Sequence, residues 1–255
     1  MSQGLRMTAM QAGAVLALIA LWAIANAAGF AQSILPPVRD VAYASFEVWT
    51  RPEFMVAFWA TVFDAGRGLL IAAVLAIPLG VLIGMSPRLE AATRVLVDFG
   101  RSFPVIALLP ILVLILGATA AMKVVAIAIA CFFPILLQSI YGARRLEPTI
   151  VDTVRSFRIP AHLRFFRVLL PAAGPFIATG LRIATTVSIL VAVGVEIVSL
   201  TPGLGREISL SRSYNETATT YAYIIYAGLL GVAISLLWDL AEARLLRWHI
   251  RAKVE

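Results

Sequence analysis

Few residues in this 255-residue chain have the type and spacing that catalysis requires. A nucleotide-hydrolysing site of the P-loop kind needs a glycine-rich turn that ends in Gly-Lys-Ser/Thr and holds phosphate groups. The chain has two lysines, Lys123 and Lys253, and neither lies in such a motif. Its two histidines, His162 and His249, lack a second histidine or cysteine at the spacing of metal ligands. We therefore expect that the chain is not an enzyme and that it binds no cofactor or metal of its own.

The composition is that of a protein that spans a membrane. Hydrophobic residues make up 61% of the chain and charged residues 14%, a balance that a water-soluble core does not produce. A helix needs about 20 mostly apolar residues to cross the hydrocarbon layer. Six such spans are predicted, at about 8–28, 60–85, 103–119, 122–142, 174–198 and 219–243. The third and fourth are separated by a turn near Gly117-Ala118-Thr119. The predicted fold class is an all-α polytopic membrane protein.

The stretch between the first two spans alternates apolar and charged residues at helical spacing. It predicts a short helix at about 38–49 that lies along the membrane surface, with Phe46 and Trp49 as anchors. A second helix that begins near Pro52 then leads into the second span, because proline suits the first turn of a helix.

Orientation follows from the basic residues near the span ends, which are retained on the cytoplasmic side of a membrane. With the N terminus inside, 14 basic side chains lie on the cytoplasmic side and 5 on the opposite side. We therefore predict a multi-pass membrane protein with both termini in the cytoplasm. The net charge of +7 then reflects topology and contact with anionic lipid, so nucleic acid is not an expected partner.

Two ionisable residues of the fifth span are candidates for a substrate path. Arg182 lies inside the membrane, where such residues often serve function, and it could attract an anion. Equally, it could be a helix-packing residue near the inner interface whose charge reaches the headgroups. Glu196 is 14 residues further on, about 21 Å along a helix, so the two cannot pair directly. Glu196 is expected at the outer end, near a gate and the 200–218 loop.

Other polar and small residues in the spans predict structural roles. Asp64 and Arg67 are three apart, a spacing that allows an ion pair on one helix face. Lys123, at the start of the fourth span, is expected to extend to a membrane interface. Gly80 and Gly84 form a small-xxx-small pattern, which is typical of close helix packing but is weak evidence in a chain with 17 glycines.

Residues 143–173 form the longest predicted cytoplasmic segment, with helical periodicity but too many charges to enter the bilayer. Pro148 can begin a short helix that carries Asp152 in its first turns. The residue before Pro160 is pushed out of helical geometry, so a second short helix follows a bend and ends at Pro171. One face of this bent segment is apolar and the other is basic. The residues alone leave open whether it docks on a soluble protein or lies on anionic lipid.

This segment resembles the EAA loop of binding-protein-dependent ABC transporter permeases. That pattern is Glu-Ala-Ala, three residues, Gly, nine residues, then Ile-x-Leu-Pro. Asp152, Thr153 and Val154 stand at the Glu-Ala-Ala positions, and residues 168–171 read VLLP at the end. The chain departs from the pattern at Arg158, which replaces the glycine that would allow the turn. The bend must then depend on Pro160.

The resemblance extends over about residues 30–245, toward the nitrate, sulfonate and taurine branch of these permeases. The stretches that carry it are TVFDAGRGLLIAAVLAIPLGVLIG, SFPVIALLPILVLILG, LLPAAGPFIATGLRIATT and VEIVSLTPGLGREI. It implies the type I importer fold with cytoplasmic coupling helices, and a path for a small, anionic solute. The domains would be an N-terminal span with an outer loop (1–58), a permease domain (59–246) with its coupling loop at about 147–171, and a cytoplasmic tail (247–255).

The resemblance also implies partners. A second permease copy would complete the path, a cytoplasmic ATPase dimer would bind ATP and Mg, and an extracytoplasmic solute-binding protein would dock on the loops near 30–58 and 200–218. Contacts with the ATPase would come from Asp152, Thr153, Val154, Arg155, Phe157, Arg158 and Leu163.

An ion-coupled secondary transporter or a channel is the alternative. The former would place acidic ligands near the bilayer midplane, whereas Asp64 and Glu196 are both near span ends.

Overall fold

The computed structural model describes residues 3–29, 34–145, 156–157 and 159–245. Every regular element within these ranges is helical, which confirms the predicted fold class. The elements are α1 (Gln3–Ala27), α2 (Val38–Thr50), α3 (Pro52–Gly84), α4 (Pro87–Ser102), a 3₁₀ turn (Val105–Leu108), α5 (Leu109–Leu116), α6 (Ala120–Arg144), α7 (Ala161–Arg164), a π-helical turn (Phe165–Leu169), α8 (Leu170–Ser199), α9 (Leu204–Ser213) and α10 (Thr217–Leu245).

Five stretches of the described residues are long and apolar enough to cross a membrane. They lie in α1, α3, α6, α8 with its neighbours, and α10, where five of the six spans were predicted. The third predicted span, 103–119, is wrong as a single crossing. The segment from Val105 to Leu116 makes an angle of 86° with α4, and only the bent pair together has the length of a span. Proline explains the break, since Pro104 holds Phe103 in extended backbone geometry.

Three of the predicted helix boundaries are present in the structure, and one is wrong. α2 and α3 begin where expected, and Pro52 occupies the first turn of α3. Gly117, with a φ of 68°, separates α5 from α6 as predicted. The predicted helix end at Pro171 is wrong, because the chain continues through the π-helical turn directly into α8. In that turn the Leu170 N–H donates to the Phe165 carbonyl, so the helix absorbs the proline, which has no N–H.

The core consists of α3, α6 and α8. Their contact faces are rich in alanine, including Ala72, Ala76, Ala184 and Ala192, all of which are buried. Such small residues let helix backbones approach closely where lipid provides no hydrophobic drive for association. Gly80 lies where α3 and α6 approach closely, and a methyl group there would be 2.6 Å from Ser139 Cβ and 2.7 Å from the Leu136 carbonyl oxygen. The small-xxx-small pattern therefore marks a true helix interface.

Gly80→Ala should lower the stability of the helix pair. The added methyl would overlap the α6 backbone at Leu136, and overpacking of this kind costs about 1–3 kcal/mol. Gly66→Ala in the same helix is the matched control, since a methyl there meets nothing within 4 Å and should stabilise slightly. Unfolding of the purified protein in detergent measures both. Equal stability of the two variants would contradict the close approach.

Candidate functional site

Most of the predicted ATPase-coupling residues lie outside the described residues: Asp152, Thr153, Val154, Arg155 and Arg158. Two others are described. Phe157 is 76% exposed, and Leu163 of α7 is half-buried. They lie in the segment that joins α6 to α8, the two helices that share the core with α3. An exposed aromatic side chain at this point is available to a partner, and the coupling role of the seven residues stays a prediction.

Arg182 lies on α8 and faces α10. Its Nη2 atom is 2.6 Å from Asp239 Oδ1 and 3.0 Å from Glu242 Oε2. The two carboxylates are three residues apart on α10, so they present one acidic face to a single guanidinium. The Arg182 side chain is 52% exposed. Its single positive charge faces the negative charges of two carboxylates. The arrangement ties α8 to α10 and also leaves guanidinium N–H groups accessible, so it is compatible with both roles considered for this residue.

Glu196 does not contact Arg182 and is completely buried near the other end of α8. The Lys123 ammonium donates to Glu196 Oε1 at 2.9 Å and to the Pro202 carbonyl at 2.7 Å, and it is 2.8 Å from Asp64 Oδ2. Lys123 is itself 0% exposed. The prediction that Lys123 extends to a membrane interface is therefore wrong. Two carboxylates and a carbonyl converge inside the protein and satisfy all three ammonium donors, so the charge needs no water.

The Glu196 carboxylate also holds the turn after α8 in place. Glu196 accepts hydrogen bonds from the Gly205 N–H at 2.9 Å and from the Thr61 hydroxyl at 2.9 Å. The Thr61 hydroxyl in turn accepts from the Leu204 N–H at 2.9 Å. Gly203 adopts a φ of 154°, and a methyl group there would overlap the Glu196 carboxylate. The TPGLG sequence thus wraps tightly around one buried carboxylate.

The predicted ion pair between Asp64 and Arg67 is present, with Arg67 Nη1 3.2 Å from Asp64 Oδ1. It belongs to a larger cluster of two carboxylates and two cations, because Asp64 also contacts Lys123. Counted together, the four charges balance, as ionisable groups in a membrane require, and Arg67, whose side chain is 67% exposed, supplies the second positive charge. We call Asp64, Arg67, Lys123 and Glu196 the charge cluster. It joins α3, α6, α8 and the turn before α9.

Sequence reasoning paired Asp64 with Arg67 and placed Asp64, Lys123 and Glu196 near span ends, but it did not bring the two carboxylates to Lys123. The sequence did contain a signal, because these residues are expected at the same membrane face. Successive spans alternate in direction, which puts the start of α3, the start of α6 and the end of α8 at that face. A lysine and two carboxylates at one depth in an apolar surrounding predict a mutual interaction.

Lys123→Met should destabilise the protein strongly. It leaves two buried carboxylates facing each other with one cation, and removing one partner of a buried ion pair costs about 3–5 kcal/mol. The double variant Lys123→Met/Glu196→Gln should recover much of that loss, since a glutamine oxygen in the place of Oε2 can still accept from Gly205 and Thr61. Denaturation of the purified protein in detergent compares them. A Lys123→Met variant as stable as wild type would show that the charge cluster is not needed for stability.

Comparison with known proteins gives the chain its family. Residues 76–247 match the family described as binding-protein-dependent transport system inner membrane component. The bicarbonate transport system permease protein CmpB of Synechococcus elongatus is 32% identical over 198 residues, which are 76% of this chain and 70% of that protein. The taurine transport system permease protein TauC of Escherichia coli K12 is 25% identical over 233 residues, 89% of this chain and 85% of that protein.

The fold has a counterpart in a solved structure. An inward-facing form of the MetNI methionine ABC transporter aligns with a TM-score of 0.63, covering 78% of this chain and 98% of the matched chain at 17% identity. At this identity the likeness concerns the fold alone. The family match covers the core helices α6 and α8 and the segment between them. The chain therefore belongs to the inner membrane permease components of binding-protein-dependent ABC transport systems.

Proposed function

We propose that this chain forms the translocation path of an ATP-driven importer for a small anionic solute. A solute-binding protein delivers the solute, a second copy of the chain completes the path, and a separate ATPase dimer that binds ATP and Mg supplies the energy. The observation that carries the proposal is the family match over residues 76–247, which includes the EAA-like pattern and both helices that flank it. In this scheme the chain itself performs no hydrolysis.

Packing at the inner ends of α6 and α8 supports the coupling role of the loop at 147–171. Gly142 of α6 contacts the start of α8 so closely that a methyl group would be 2.9 Å from Phe176 Cβ and 3.0 Å from Ala173 Cβ. A force on the loop therefore acts on two helices that are already in contact. The exposed Phe157 ring is suited to an apolar pocket of the ATPase, as aromatic anchors are at many interfaces.

The outer face offers a surface for the solute-binding protein. The start of α3 and the turn before α9 form a shallow cavity of about 310 Å³ with charged side chains of both signs, Glu53, Arg206 and Glu207. These residues belong to the loops near 30–58 and 200–218 for which docking was expected. By the predicted orientation, this face lies outside the cytoplasm, and both termini lie inside.

An anionic solute is supported by the relatives and by the charges of the chain. CmpB is named for bicarbonate, an anion, and TauC for taurine, a zwitterion that carries an ionised sulfonate group beside its ammonium group. Glu196, the other residue considered for the path, is neutralised by Lys123 and so does not repel an anion. Arg182 remains the candidate within α8 for attracting one, since its side chain is half-exposed.

The buried carboxylates also give the ion-coupled alternative a specific basis. Asp64 and Glu196 lie within membrane spans, where acidic residues often bind a coupling ion. However, both are occupied by Lys123, and the four charges of the charge cluster already balance. Uptake into proteoliposomes separates the two functions. The importer needs the ATPase, the binding protein and ATP, whereas an ion-coupled carrier accumulates solute from an ion gradient with this chain alone.

Asp152→Arg should reduce ATP-dependent uptake to a small fraction of wild type and weaken co-purification of the ATPase. The substitution reverses a charge at the first position of the EAA-like pattern, where a charged partner is expected across the interface. Asp152→Glu restores the residue of that pattern and is the control, with uptake equal to or above wild type. Membrane insertion should be the same in both. Full uptake by Asp152→Arg would reject the coupling role.

Arg182 requires a test that separates solute attraction from helix packing. If it attracts the solute, Arg182→Ala should raise the KM for anionic solutes, by about tenfold or more for a lost charge-assisted contact worth 1.5–3 kcal/mol. Asp239→Asn/Glu242→Gln is the matched variant, because it breaks the same α8–α10 contact and keeps the arginine. An equal loss of stability in both variants, with KM unchanged in Arg182→Ala, would leave packing as its role.

A further inference from the structure

A long apolar groove lies on the side of the core that faces α4. It has a volume of about 740 Å³ and lies between α3, α4, the 3₁₀ turn and α6. Leu79 and Leu82 of α3, Phe99 of α4 and Phe132 of α6 are among the side chains that line it. None of the residues of α4, all of which are described, is buried, and Leu96 and Phe99 are 70% and 67% exposed. α4 therefore stands away from the core and leaves the groove open.

A basic cleft adjoins this groove. The cleft has a volume of about 300 Å³ between α4 and the end of α6, and it shares Thr93 and Val97 with the groove. Its charged lining consists of Arg94, Arg101, Arg144, Glu90 and Asp98, and the ring of Tyr141 forms one wall. An apolar groove and a charged cleft with shared walls make one amphipathic cavity.

The cleft retains an unbalanced positive charge. Arg144 Nη1 is 2.6 Å from Glu90 Oε1, while Arg94 and Arg101 share one carboxylate, that of Asp98, at 3.9 and 3.1 Å. Three guanidinium groups therefore face two carboxylates. Each guanidinium has five N–H donors, and these contacts occupy few of them. The three arginine side chains are 52–79% exposed, so their other donors can reach a phosphate group.

We propose that the groove and the cleft together bind one anionic phospholipid. The phosphodiester lies against Arg94, Arg101 and Arg144, and an acyl chain lies in the groove between α3, α4 and α6. Basic pockets between membrane helices on the cytoplasmic side favour such headgroups. The end of α6 that carries Arg144 leads into the predicted cytoplasmic loop, which puts the cleft at the correct depth for a headgroup. The inference needs a membrane-embedded permease but neither the proposed solute nor the ATPase.

Charge and shape favour a lipid over the other occupants of such a groove. A small hydrophilic anion gains nothing from walls made of leucine, valine and phenylalanine, because it would lose its hydration without gaining hydrogen bonds. A second copy of this chain could cover the apolar part. It would also have to bring an acidic group to the three arginines, whereas a phospholipid carries its charge and its apolar chains in one molecule.

Native mass spectrometry of the purified full chain in detergent tests the site. Phosphatidylglycerol and phosphatidylcholine with identical acyl chains are titrated separately, and glycerol 3-phosphate serves as the free headgroup. We expect wild type to bind phosphatidylglycerol about fivefold or more tightly than phosphatidylcholine, and to bind glycerol 3-phosphate weakly. Equal binding of the two lipids, or binding of glycerol 3-phosphate as tight as that of the lipid, would overturn the proposal.

Variants of the cleft and the groove should have different effects. Arg94→Gln and Arg101→Gln should each weaken binding of phosphatidylglycerol about fivefold and leave phosphatidylcholine unchanged, as expected for one basic side chain at an anionic headgroup. Arg39→Gln is the matched control, since Arg39 is an exposed arginine outside the cleft, 3.4 Å from Asp40. A loss of the same size in Arg39→Gln would indicate a general surface effect and would contradict a defined site.

Leu96→Trp fills the groove and should weaken binding of both lipids. Leu114→Trp places the same ring on an exposed position of α5 outside the groove and should change neither. If Leu96→Trp instead disrupts the dimer while lipid binding is unchanged, the groove is a contact between copies and the proposal is wrong. Circular dichroism of each variant identifies a loss of fold. If Leu96→Trp does not fold, the binding of phosphatidylglycerol by Arg94→Gln and Arg101→Gln still tests the proposal.

Discussion

The burial of Lys123 is the constraint on which the arrangement of one end of the helix core depends, the outer end in the predicted orientation. A buried ammonium is costly unless its donors are bound and its charge is compensated. Here Asp64 of α3, Glu196 of α8 and the Pro202 carbonyl meet that need, all within 2.9 Å. These partners come from three parts of the chain, so one side chain on α6 fixes the relative position of two other helices and a turn. A shift of any of them would expose an unbalanced charge to a medium that cannot solvate it.

The inner end is held differently, and this asymmetry suits the proposed mechanism. The contacts there involve arginines that are half-exposed, such as Arg182 with Asp239 and Arg144 with Glu90, and exposed ion pairs contribute little free energy. Gly142 keeps α6 and α8 in contact where the coupling loop joins them. A force from the ATPase would therefore move α6 and α8 together about an outer end that the charge cluster holds in place. The helices can tilt at the inner end without the separation of any buried charge pair.

Much of this architecture was predictable, because it depends on local properties of the chain. Apolar length located five spans, Pro52 located the start of α3, and Gly117 located the turn before α6. The break at Pro104 was missed because a hydropathy window averages over a bend. The charge cluster was missed for another reason: Lys123 and Glu196 are 73 residues apart, and their contact exists only once α6 and α8 are packed. Local sequence indicated that Lys123 is charged and near a span end, but not whether lipid headgroups or carboxylates surround it.

The exposed apolar surface shows that the bilayer completes the fold. α4 packs lightly against α3 and α6, and its apolar side chains Val95, Leu96 and Phe99 are 67–77% exposed, the last two along the open groove. In water these few contacts would not hold such a helix in place, because its apolar side chains would be exposed to solvent. At a membrane interface, acyl chains solvate its apolar face and headgroups solvate its arginines. The ion pair between Glu90 and Arg144 links α4 to the last turn of α6, directly before the coupling loop. A lipid bound in the groove beside α4, as proposed, would therefore act on the same end of α6 as the proposed ATPase partner, and anionic lipid and nucleotide would then influence one another through this helix.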